Sequence, residues 1–506
     1  HTCSRNTGKR QEAMIRPLAP FTATLENAAQ LVGASLHGTD LSFTGVTHVD
    51  SEVEAGDLFI AVAGAHVHGA TFIEKAVKRG AVAVLTDEAG LAYCTSIPAL
   101  VVSDVRTAGA LISASLYQNP TRDIARIGIT GTNGKTTVST LLYQIFTAVG
   151  RDTGLIGTVE TRIGAEVLKS SRTTPEAPEL QALAAVMRER HMRHLVMEVS
   201  SHALTLKRMK GSHFAIAAFT NLTQDHLDFH QDMDSYFAAK AALFTSEYAQ
   251  QAFINIDSSY GQRLADQVKI PMTTLSRSNK SATWHFTETH NVARGVEFSA
   301  RGAGGILIDS HTQLCGGFNL DNLLLALAIA VECGIDPIEL AAITPSLTGA
   351  PGRLEAVSLG QRYRAFVDYA HSPDAVSNVL AAAREFTPGK IIAVLGCGGD
   401  RDAGKRPLMG RALVEGADVA IFTSDNPRSE KPSEILKQMT GSLKFQTPSQ
   451  IIEDRTDAIR AAIALATDDD TVLVLGKGHE SGQEIAGVVT AFDDRLVLAQ
   501  AIEAKP

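Results

Sequence analysis

The chain has 506 residues, of which 44% are hydrophobic and 20% are charged, and its formal net charge at pH 7 is −9. This composition is typical of a globular protein, and the length favours about three domains. The acidic balance argues against a nucleic-acid-binding surface and against a basic membrane-binding face. No apolar run reaches the ~18 residues that a membrane-spanning helix needs.

The five cysteines are scattered, odd in number and never in a Cys-x-x-Cys pair. This pattern fits a reducing compartment, without a disulfide framework or a zinc ribbon. The polar, basic stretch at residues 1–10 has no apolar segment after it, so it predicts a disordered leader and not a secretory signal. We therefore expect a cytoplasmic protein.

Residues 1–120 contain the first predicted domain. A helix is predicted at 25–32 and another at 70–79, and strands at 46–49, 56–62 and 81–85. Alternating helices and strands predict a small α/β domain. The dipeptide Asn119-Pro120 is a natural boundary.

The second predicted domain, residues 121–348, opens with a phosphate-binding loop. An apolar strand at 124–130 is followed by Gly131, Gly134 and Lys135, and then by a helix reaching 149. Backbone N–H groups in such a loop and the helix N-terminus bind phosphate, while the lysine reaches the β- and γ-phosphates. Only two residues separate the glycines, whereas the general Walker form has four. The predicted nucleotide-binding residues are Gly131, Thr132, Asn133, Gly134, Lys135, Thr136 and Thr137.

The rest of this domain alternates strands and helices. Strands are predicted at 194–200 and 214–220, and an apolar helix at 319–333 ends at Gly334. Such alternation predicts a mostly parallel sheet with crossover helices.

The third predicted domain, residues 349–506, follows the turn at 349–352. Strands are predicted at 365–369, 391–395, 419–423 and 471–475, with a helix at 373–386 and a last helix after Asp494. The pattern predicts a doubly wound, Rossmann-like domain with ligand loops after the strands. The predicted fold class is therefore α/β with three domains.

Glu198 ends an apolar strand in the same domain as the phosphate loop, where a carboxylate can hold Mg²⁺ on a nucleotide. The alternative is an ordinary acid facing solvent. The loop carrying His226, Asp228 and His230 has three interpretations: a zinc site, structural packing, or a magnesium or phosphate contact by His226. Lys240, on an amphipathic helix, is expected from its position alone to be a solvated or snorkelling lysine.

Three polar loops follow strands of the third domain, at residues 396–401, 425–428 and 476–480. Arginines that bind carboxylates and a glutamate that binds an ammonium group would suit a zwitterionic substrate. The alternative is a set of ordinary capped loops.

Together these motifs resemble the Mur ligase family, ATP-dependent enzymes that form amide bonds in peptidoglycan synthesis. The resemblance covers nearly the whole chain and rests on segments 130–137, 198–202, 225–230, 319–322, 352–353 and 368–371, which follow in the family's order. The family's own phosphate loop has the short glycine spacing found here. The segments 173–175, 198–204 and 425–428 resemble the branch that attaches the third amino acid to UDP-N-acetylmuramoyl-L-alanyl-D-glutamate.

Within that branch, Asp-Asn-Pro-Arg at 425–428 is similar to the enzymes that add meso-diaminopimelate. Meso-diaminopimelate carries a far carboxylate that an arginine can bind, whereas lysine has none to compensate for the desolvation of Arg428. A lysine-adding enzyme could instead use the arginine on the α-carboxylate. The sequence also leaves open a folylpolyglutamate-synthetase-like ligase and an ATP-binding scaffold without chemistry.

The resemblance also implies roles for individual residues. Lys135, Glu198, His226 and Lys240 are expected to be catalytic, with Thr136, Glu198, His226 and a CO₂-carbamylated Lys240 holding Mg²⁺. ATP would also contact Asn322, Arg353 and Asp368. The UDP-sugar dipeptide would be bound by Thr173, Thr174, Ser200 and Arg208. The incoming amino acid would be bound by Arg401, Asp425, Asn426, Pro427, Arg428, Gly476 and Glu480.

One stretch departs from the family. The first domain of many relatives carries Asp-Ser-Arg before the Gly-Asp-Leu-Phe that stands here at 56–59, and here the matching stretch is Val49-Asp50-Ser51. The expected partners are small molecules only, with no nucleic acid and no membrane, and the expected state is a monomer.

Overall fold

The computed structural model describes residues 14–64, 66–170, 172–292, 295–441, 443 and 447–505. The predicted leader at 1–10 lies outside these residues. The chain divides into two compact units. The first comprises the residues up to Thr132 together with Val149–Ile254 and Arg263–Thr273, and the second comprises Asn133–Ala148, Asn255–Gln262 and the residues from Thr274 onward.

The N-terminal part of the first unit is a five-stranded sheet with helices packed on it. Its strands, in spatial order, are Ser35–His37, Ala99–Val101, Ala83–Thr86, Asp57–Ile60 and Gly45–Thr47, all parallel except the first pair. The helices are Leu25–Val32, Ile73–Arg79, Glu88–Leu91 and Val105–Leu116. The predicted helix at 25–32 is confirmed, and the one predicted at 70–79 starts as the 3₁₀ turn Gly69–Phe72.

The remainder of the first unit is built on a larger sheet. In spatial order its strands are Glu166–Lys169, Glu160–Ile163, Thr153–Ile156, His194–Glu198, Ala125–Thr130, Phe214–Phe219 and Ala249–Asn255. The helices are Ala177–Glu189, Ser201–Thr205, Leu227–His230 and Met233–Ala241, and the helix Ser259–Gln267 follows along the chain. The last five strands are parallel, as predicted. The antiparallel hairpin at 160–169 was not predicted, although its turn contains Gly164 in the left-handed region.

In the second unit, helix Lys135–Ala148 packs against the mostly buried helix Gly317–Glu332. Strand Met272–Ser276 pairs with Trp284–Val292, which continues into an antiparallel meander with Gly295–Arg301 and Leu307–Thr312. Helix Pro337–Ile343 follows. The meander was not predicted, because a mostly parallel sheet was expected and no strand was assigned to this segment.

The C-terminal part of the second unit is a six-stranded sheet. Its spatial order is Glu355–Ala356, Arg364–Asp368, Thr471–Leu475, Ile391–Cys397, Val419–Ser424 and Ser449–Ile451, parallel from the second strand on. The helices are Pro373–Phe386, Lys405–Gly416, Pro432–Thr440, Arg455–Leu465 and Asp494–Glu503, and a hairpin joins Gly482–Ile485 to Val488–Ala491. Because neighbouring parallel strands end at one edge, the loops after Asp368, Cys397, Ser424 and Leu475 meet there.

Two further expectations concern membranes and disulfides. Within the described part of the chain, no helix is both long and apolar enough to cross a membrane. The four described cysteines, Cys94, Cys315, Cys333 and Cys397, are free thiols. Cys3 lies outside the described residues. The domain limits at 120 and 348 stay predictions.

The C-terminal sheet contains a fully buried ion pair, in which Arg455 donates two hydrogen bonds of 2.7 Å to Asp494. We expect Asp494→Asn to lower the free energy of unfolding by about 3 kcal/mol, because it leaves a buried guanidinium without its counter-charge. Urea unfolding measures the change. Asp468→Asn, which removes the exposed partner of Arg362, is the control and should change stability little. Equal effects of the two variants would contradict this prediction.

Candidate functional site

The phosphate loop begins where strand Ala125–Thr130 ends. Gly131 has a φ of +148°, and a Cβ added there would collide with the Thr220 hydroxyl. The Thr132 backbone N–H donates to Asn221 O at 2.9 Å, and its hydroxyl lies 3.2 Å from the Tyr236 hydroxyl. The loop is therefore held by the strand end at 220–221, and Gly131 is required by close approach as well as by backbone conformation.

The second part of the loop leads into helix Lys135–Ala148. Gly134 has a φ of +87°, and a Cβ there would collide with the Asn322 side-chain oxygen. Asn322 is buried on helix Gly317–Glu332, and Thr136 and Thr137 are buried in the first turn after the loop. The predicted nucleotide residue Asn322 therefore lies directly against a phosphate-loop glycine.

Glu198 is fully buried at the end of its strand, so the interpretation as a solvent-facing acid is wrong. Its carboxylate accepts hydrogen bonds from the Thr158 backbone N–H at 2.8 Å and from the Thr158 hydroxyl at 2.9 Å. The parallel register pairs Glu198 with Ile129, so this carboxylate lies at the sheet edge where the phosphate loop starts. A buried carboxylate with both oxygens oriented by hydrogen bonds is a suitable metal ligand.

The residues predicted to bind the sugar dipeptide adjoin this carboxylate. The Thr174 hydroxyl donates to Glu198 O at 2.9 Å, and the Ser200 N–H donates to that hydroxyl at 3.1 Å. Arg208 donates to Thr174 O at 3.0 Å, and the Thr173 hydroxyl lies 3.0 Å from that of Thr158. All four predicted residues are therefore brought together around Glu198.

A cavity of about 300 Å³ lies between the small sheet and residues 176–208. Its lining includes Phe59, Arg106 and Arg208, and Glu176 accepts from Arg208 at 2.8 Å and from Arg106 at 3.3 Å. Burial lowers the pKa of His48, which also lines the cavity, to about 4, so this imidazole is neutral at pH 7. A cavity with an apolar wall and two arginines suits a ligand in which a ring is attached to an anionic group.

The stretch that departs from the family lies at this cavity, since Val49 and Asp50 line it and Ser51 lies in the 3₁₀ turn Asp50–Glu52. Asp57, in the Gly-Asp-Leu-Phe segment at 56–59, has a structural role, because its buried carboxylate accepts hydrogen bonds from both terminal nitrogens of Arg16 at 2.6 Å. Asp57 therefore fixes the fold of this sheet and Phe59 provides the cavity wall.

An aromatic cluster surrounds the histidine loop. His202 stacks on Phe229 with ring centroids 4.1 Å apart and meets His226 edge-on at 4.9 Å. His226 is exposed and has a φ of +53°, whereas His230 is buried and lies 2.9 Å from the Ser201 hydroxyl. Among the described residues no group of three His, Cys, Asp or Glu side chains is arranged to hold a metal, so the zinc interpretation has no support there. His230 is packed inside the protein, as the structural-packing interpretation predicts, and His226 faces solvent.

Lys240 is buried, so the interpretation as a snorkelling lysine is wrong. Its ammonium donates to Gly131 O at 2.8 Å and lies 4.6 Å from the centre of the Tyr236 ring. The lysine is thereby tied to the phosphate loop.

In the second unit, Asp368 accepts backbone hydrogen bonds from Leu354 at 2.7 Å and Ala370 at 2.8 Å. Burial raises the pKa of this carboxyl, and the nearby Arg353 opposes the rise. The Arg353 guanidinium lies 5.1 Å from the centre of the Tyr369 ring. The two predicted residues thus lie near each other at the carboxyl end of strand Arg364–Asp368.

The three polar loops of the C-terminal sheet interlock. Asn426 donates to Glu480 at 2.8 Å, and Arg428 donates to Gly399 O at 2.7 Å. A Cβ on Gly398 would lie 3.0 Å from Arg428 Nη1 and 3.8 Å from Arg401 Cγ, so both arginines flank one backbone position. These side chains form one polar cluster, which the interpretation as independent capped loops does not explain.

Asp425 and Gly476 lie at the base of this cluster, where a Cβ on Gly476 would be 2.7 Å from an Asp425 oxygen. Burial raises the pKa of Asp425, while Arg455 and Lys477 oppose the rise. Pro427 is buried beside them and accepts from Glu430 N at 3.0 Å.

Three residues of these clusters were not singled out from the sequence. Thr158 had no recognisable signal, since a threonine after a strand is common. Tyr236 and Lys477 lay inside segments that were singled out, but nothing in their spacing distinguished them from their neighbours.

Comparison with known families gives three matches along the chain. Residues 42–115 match the model described as Mur ligase family, catalytic domain. Residues 129–330 match the Mur ligase middle domain, and residues 352–478 match the Mur ligase, glutamate ligase domain.

Individual proteins are similar over almost the full length. The chain is 47% identical over 497 residues to the UDP-N-acetylmuramoyl-L-alanyl-D-glutamate–2,6-diaminopimelate ligase of Streptomyces avermitilis, covering 96% of this chain and 98% of that protein. The enzyme of the same name from Corynebacterium glutamicum is 43% identical, with coverage of 88% and 89%. A solved structure of a ligase with this name superposes with a TM-score of 0.69 at 33% identity, covering 91% and 95%.

The close approach at Gly134 yields a test of the phosphate loop. We expect Gly134→Ala to raise the Kd for ATP at least about tenfold, because the methyl group displaces Asn322 and strains the backbone. Calorimetric titration with ATP measures the change. Gly150→Ala is the control: its φ is +71° but its Cβ would meet open space, so ATP affinity should stay unchanged. A normal Kd for Gly134→Ala would contradict the prediction.

Asp321, next to Asn322, gives a pH-dependent prediction. Burial raises its pKa to about 7, with Arg277 opposing the rise. The folded protein therefore holds a proton between about pH 4 and pH 7 that the unfolded chain releases, so this group's stabilising contribution falls as pH rises through that window. We expect the free energy of unfolding of Asp321→Asn, relative to that of the unsubstituted protein, to increase from pH 4 to pH 7. Above pH 7 the difference should stay constant. Urea unfolding at four pH values measures the difference, and a flat profile would refute it.

Proposed function

The chain belongs to the Mur ligase family, and we propose that it attaches meso-diaminopimelate to UDP-N-acetylmuramoyl-L-alanyl-D-glutamate in peptidoglycan precursor synthesis. Membership makes it an ATP-dependent ligase that forms amide bonds, so the predictions of family, fold class and enzyme class are confirmed. The observation that carries the choice of substrate is the cluster of Arg401, Arg428 and Glu480 at the edge of the C-terminal sheet. It supplies two guanidinium groups and a carboxylate for a substrate with charges at both ends.

The proposed reaction has two steps. An oxygen of the D-glutamyl γ-carboxylate attacks the γ-phosphorus of ATP, the bond to the β,γ-bridging oxygen breaks, and ADP leaves. The amine of the incoming amino acid, having lost a proton, then attacks the acyl carbon, and inorganic phosphate leaves with the electrons of the C–O bond. Positioning of three anionic or zwitterionic substrates provides most of the catalysis in such a reaction.

The residues of the first unit are assigned by what they contact. Thr173, Thr174, Ser200 and Arg208 would hold the muramoyl dipeptide next to Glu198, because hydrogen bonds join them to each other and to that strand end. The cavity beside Arg208 would receive the uridine diphosphate end. The apolar wall and arginines there fit a nucleobase with a pyrophosphate.

ATP would be bound by residues 131–137, with Lys135 on the phosphates and with Asn322, Arg353 and Asp368 as further contacts. Mg²⁺ supplies charge neutralisation on the phosphate oxygens when bound. Glu198 fits its ligand set, since a buried carboxylate held by Thr158 is an oxygen donor of the kind Mg²⁺ prefers. Thr136 and His226 would be further ligands on the family resemblance. Lys240 would act as its carbamate, adding an anionic ligand beside the Gly131 carbonyl.

The choice between amino acids depends on the far carboxylate. Arg428 is only partly exposed and already donates one hydrogen bond to Gly399 O. Its Nε also lies 3.7 Å from Glu484 Oε2. The donors that these two contacts leave would bind the far carboxylate, which meso-diaminopimelate has and lysine lacks. Glu480, held by Asn426, would bind the ammonium end, and Asp425, Pro427 and Gly476 would shape the floor of the site.

The domain limits 1–120, 121–348 and 349–506, a monomeric state and a cytoplasmic location are part of this proposal. The domain limits rest on the boundaries in the sequence, and the location rests on the substrates, which are cytoplasmic small molecules.

The test supplies ATP, Mg²⁺ and UDP-N-acetylmuramoyl-L-alanyl-D-glutamate with either meso-diaminopimelate or L-lysine and measures phosphate release. We expect turnover with meso-diaminopimelate only. Turnover with lysine would support the ligase activity and overturn the assignment of meso-diaminopimelate as the added amino acid. No amino-acid-dependent turnover would overturn the proposed reaction.

Arg428→Met should raise the KM for meso-diaminopimelate about tenfold to a hundredfold, because a charged hydrogen bond is lost, while the KM for ATP stays unchanged. Arg411→Met, an exposed arginine of helix Lys405–Gly416, is the matched control and should leave both constants unchanged. Equal KM values for meso-diaminopimelate in the two variants would show that Arg428 does not bind the amino acid.

A further inference from the structure

Lys477 is completely buried in the loop after strand Thr471–Leu475. Its ammonium donates to Asn426 Oδ1 at 3.1 Å, to Glu480 Oε2 at 3.1 Å and to Gly482 O at 2.7 Å. An ammonium has three protons, so its donor capacity is fully used inside the protein. Lys477 therefore has no proton left for a substrate.

The partners of Lys477 are themselves connected. Asn426 Nδ2 donates to the same Glu480 Oε2 at 2.8 Å, and Glu484 N donates to Asn426 Oδ1 at 3.0 Å. The loops at 425–428 and 476–480 and the start of the hairpin at Gly482 are thus joined through one buried cation.

The two oxygens of Glu480 have different surroundings. Oε2 accepts from both Lys477 and Asn426, whereas in the described part of the chain no hydrogen-bond donor reaches Oε1. The Glu480 side chain is about one-third exposed. Two donors on one oxygen fix the carboxylate plane and leave Oε1 for a ligand.

We infer that Lys477 is a positioning residue for the incoming amino acid, holding Glu480 so that Oε1 faces the ammonium group of the substrate. This inference rests on the proposed function. Lys477 acts through Glu480 and Asn426 and does not touch the substrate. Arginine cannot replace it, because a planar guanidinium does not direct donors to three acceptors around one point and is too large for a fully buried position.

The experiment compares Lys477→Met with the unsubstituted enzyme. We expect the KM for meso-diaminopimelate to rise about tenfold or more, because Glu480 loses its charged partner and its fixed orientation, while the KM for ATP and for the UDP-sugar dipeptide stays within about twofold. Lys477→Arg should show the same pattern. Unchanged KM for the amino acid in Lys477→Met would overturn the inference.

A second readout separates positioning from general damage. With ATP and the UDP-sugar dipeptide but no amino acid, reversible acyl-phosphate formation moves ¹⁸O from the β,γ-bridge of ATP to a non-bridging β position. Lys477→Met should retain this exchange, since the residue acts only on the amino acid. Loss of exchange together with a lowered melting temperature would show a structural role and overturn the inference.

A double-mutant cycle supplies the third readout. If Lys477 acts through Glu480, then adding Lys477→Met to Glu480→Gln should raise the amino-acid KM far less than it does in the unsubstituted enzyme. Additive effects would contradict the inference. Lys505→Met is the matched control, because Lys505 too donates to acceptors within the protein, the backbone carbonyls of Ile463 and Ala466, in the same sheet domain. It should change stability only.

The outcomes for the unsubstituted enzyme keep the two proposals apart. If it turns over with meso-diaminopimelate and Lys477→Met behaves identically, only the role of Lys477 fails. If the unsubstituted enzyme shows no amino-acid-dependent turnover, the proposed function fails first.

Discussion

Buried charge is the constraint on which the rest of the site depends. A charge taken out of water is tolerated only where hydrogen bonds and counter-charges replace its hydration. Glu198 meets this requirement through Thr158, Lys240 through the Gly131 carbonyl, and Lys477 through three acceptors. In each case the partners that make burial possible also fix where the charged group points. The contacts that compensate for the desolvation of each charged group therefore also set its orientation.

The sheets decide which of these groups meet. Parallel strands end at one edge, so residues that are far apart in sequence become neighbours there when they follow adjacent strands. Glu198 and the phosphate loop follow paired strands in the first unit. In the second unit the loops at 396–401, 425–428 and 476–480 follow the strands Ile391–Cys397, Val419–Ser424 and Thr471–Leu475, which are neighbours in one sheet. The residues predicted to bind the incoming amino acid therefore come together because of the order of the strands in the sheet.

Much of this could be predicted because the signals are local. The apolar strands, the glycines of the phosphate loop and the helix at 373–386 are set by neighbouring residues, and the structure has them as predicted. Burial of Glu198 and Lys240 could not be predicted, because it depends on partners 40 and 109 residues away. Amphipathic spacing made Lys240 look exposed, although the family resemblance implied a role at the site, and the tertiary contact with Gly131 shows that it is buried. The antiparallel strands at 284–312 were missed for a different reason: a mostly parallel sheet was expected, and no strand was assigned to this segment, which has its own pairing.

The glycines of the phosphate loop are constrained by packing of the same kind. With two residues between its glycines, the loop turns within four residues, and both glycines have positive φ. Each also lies where a side chain occupies the space of a Cβ, namely Thr220 at Gly131 and Asn322 at Gly134. Both glycines are therefore required twice, by conformation and by contact, and any larger residue must displace a polar group as well as strain the backbone.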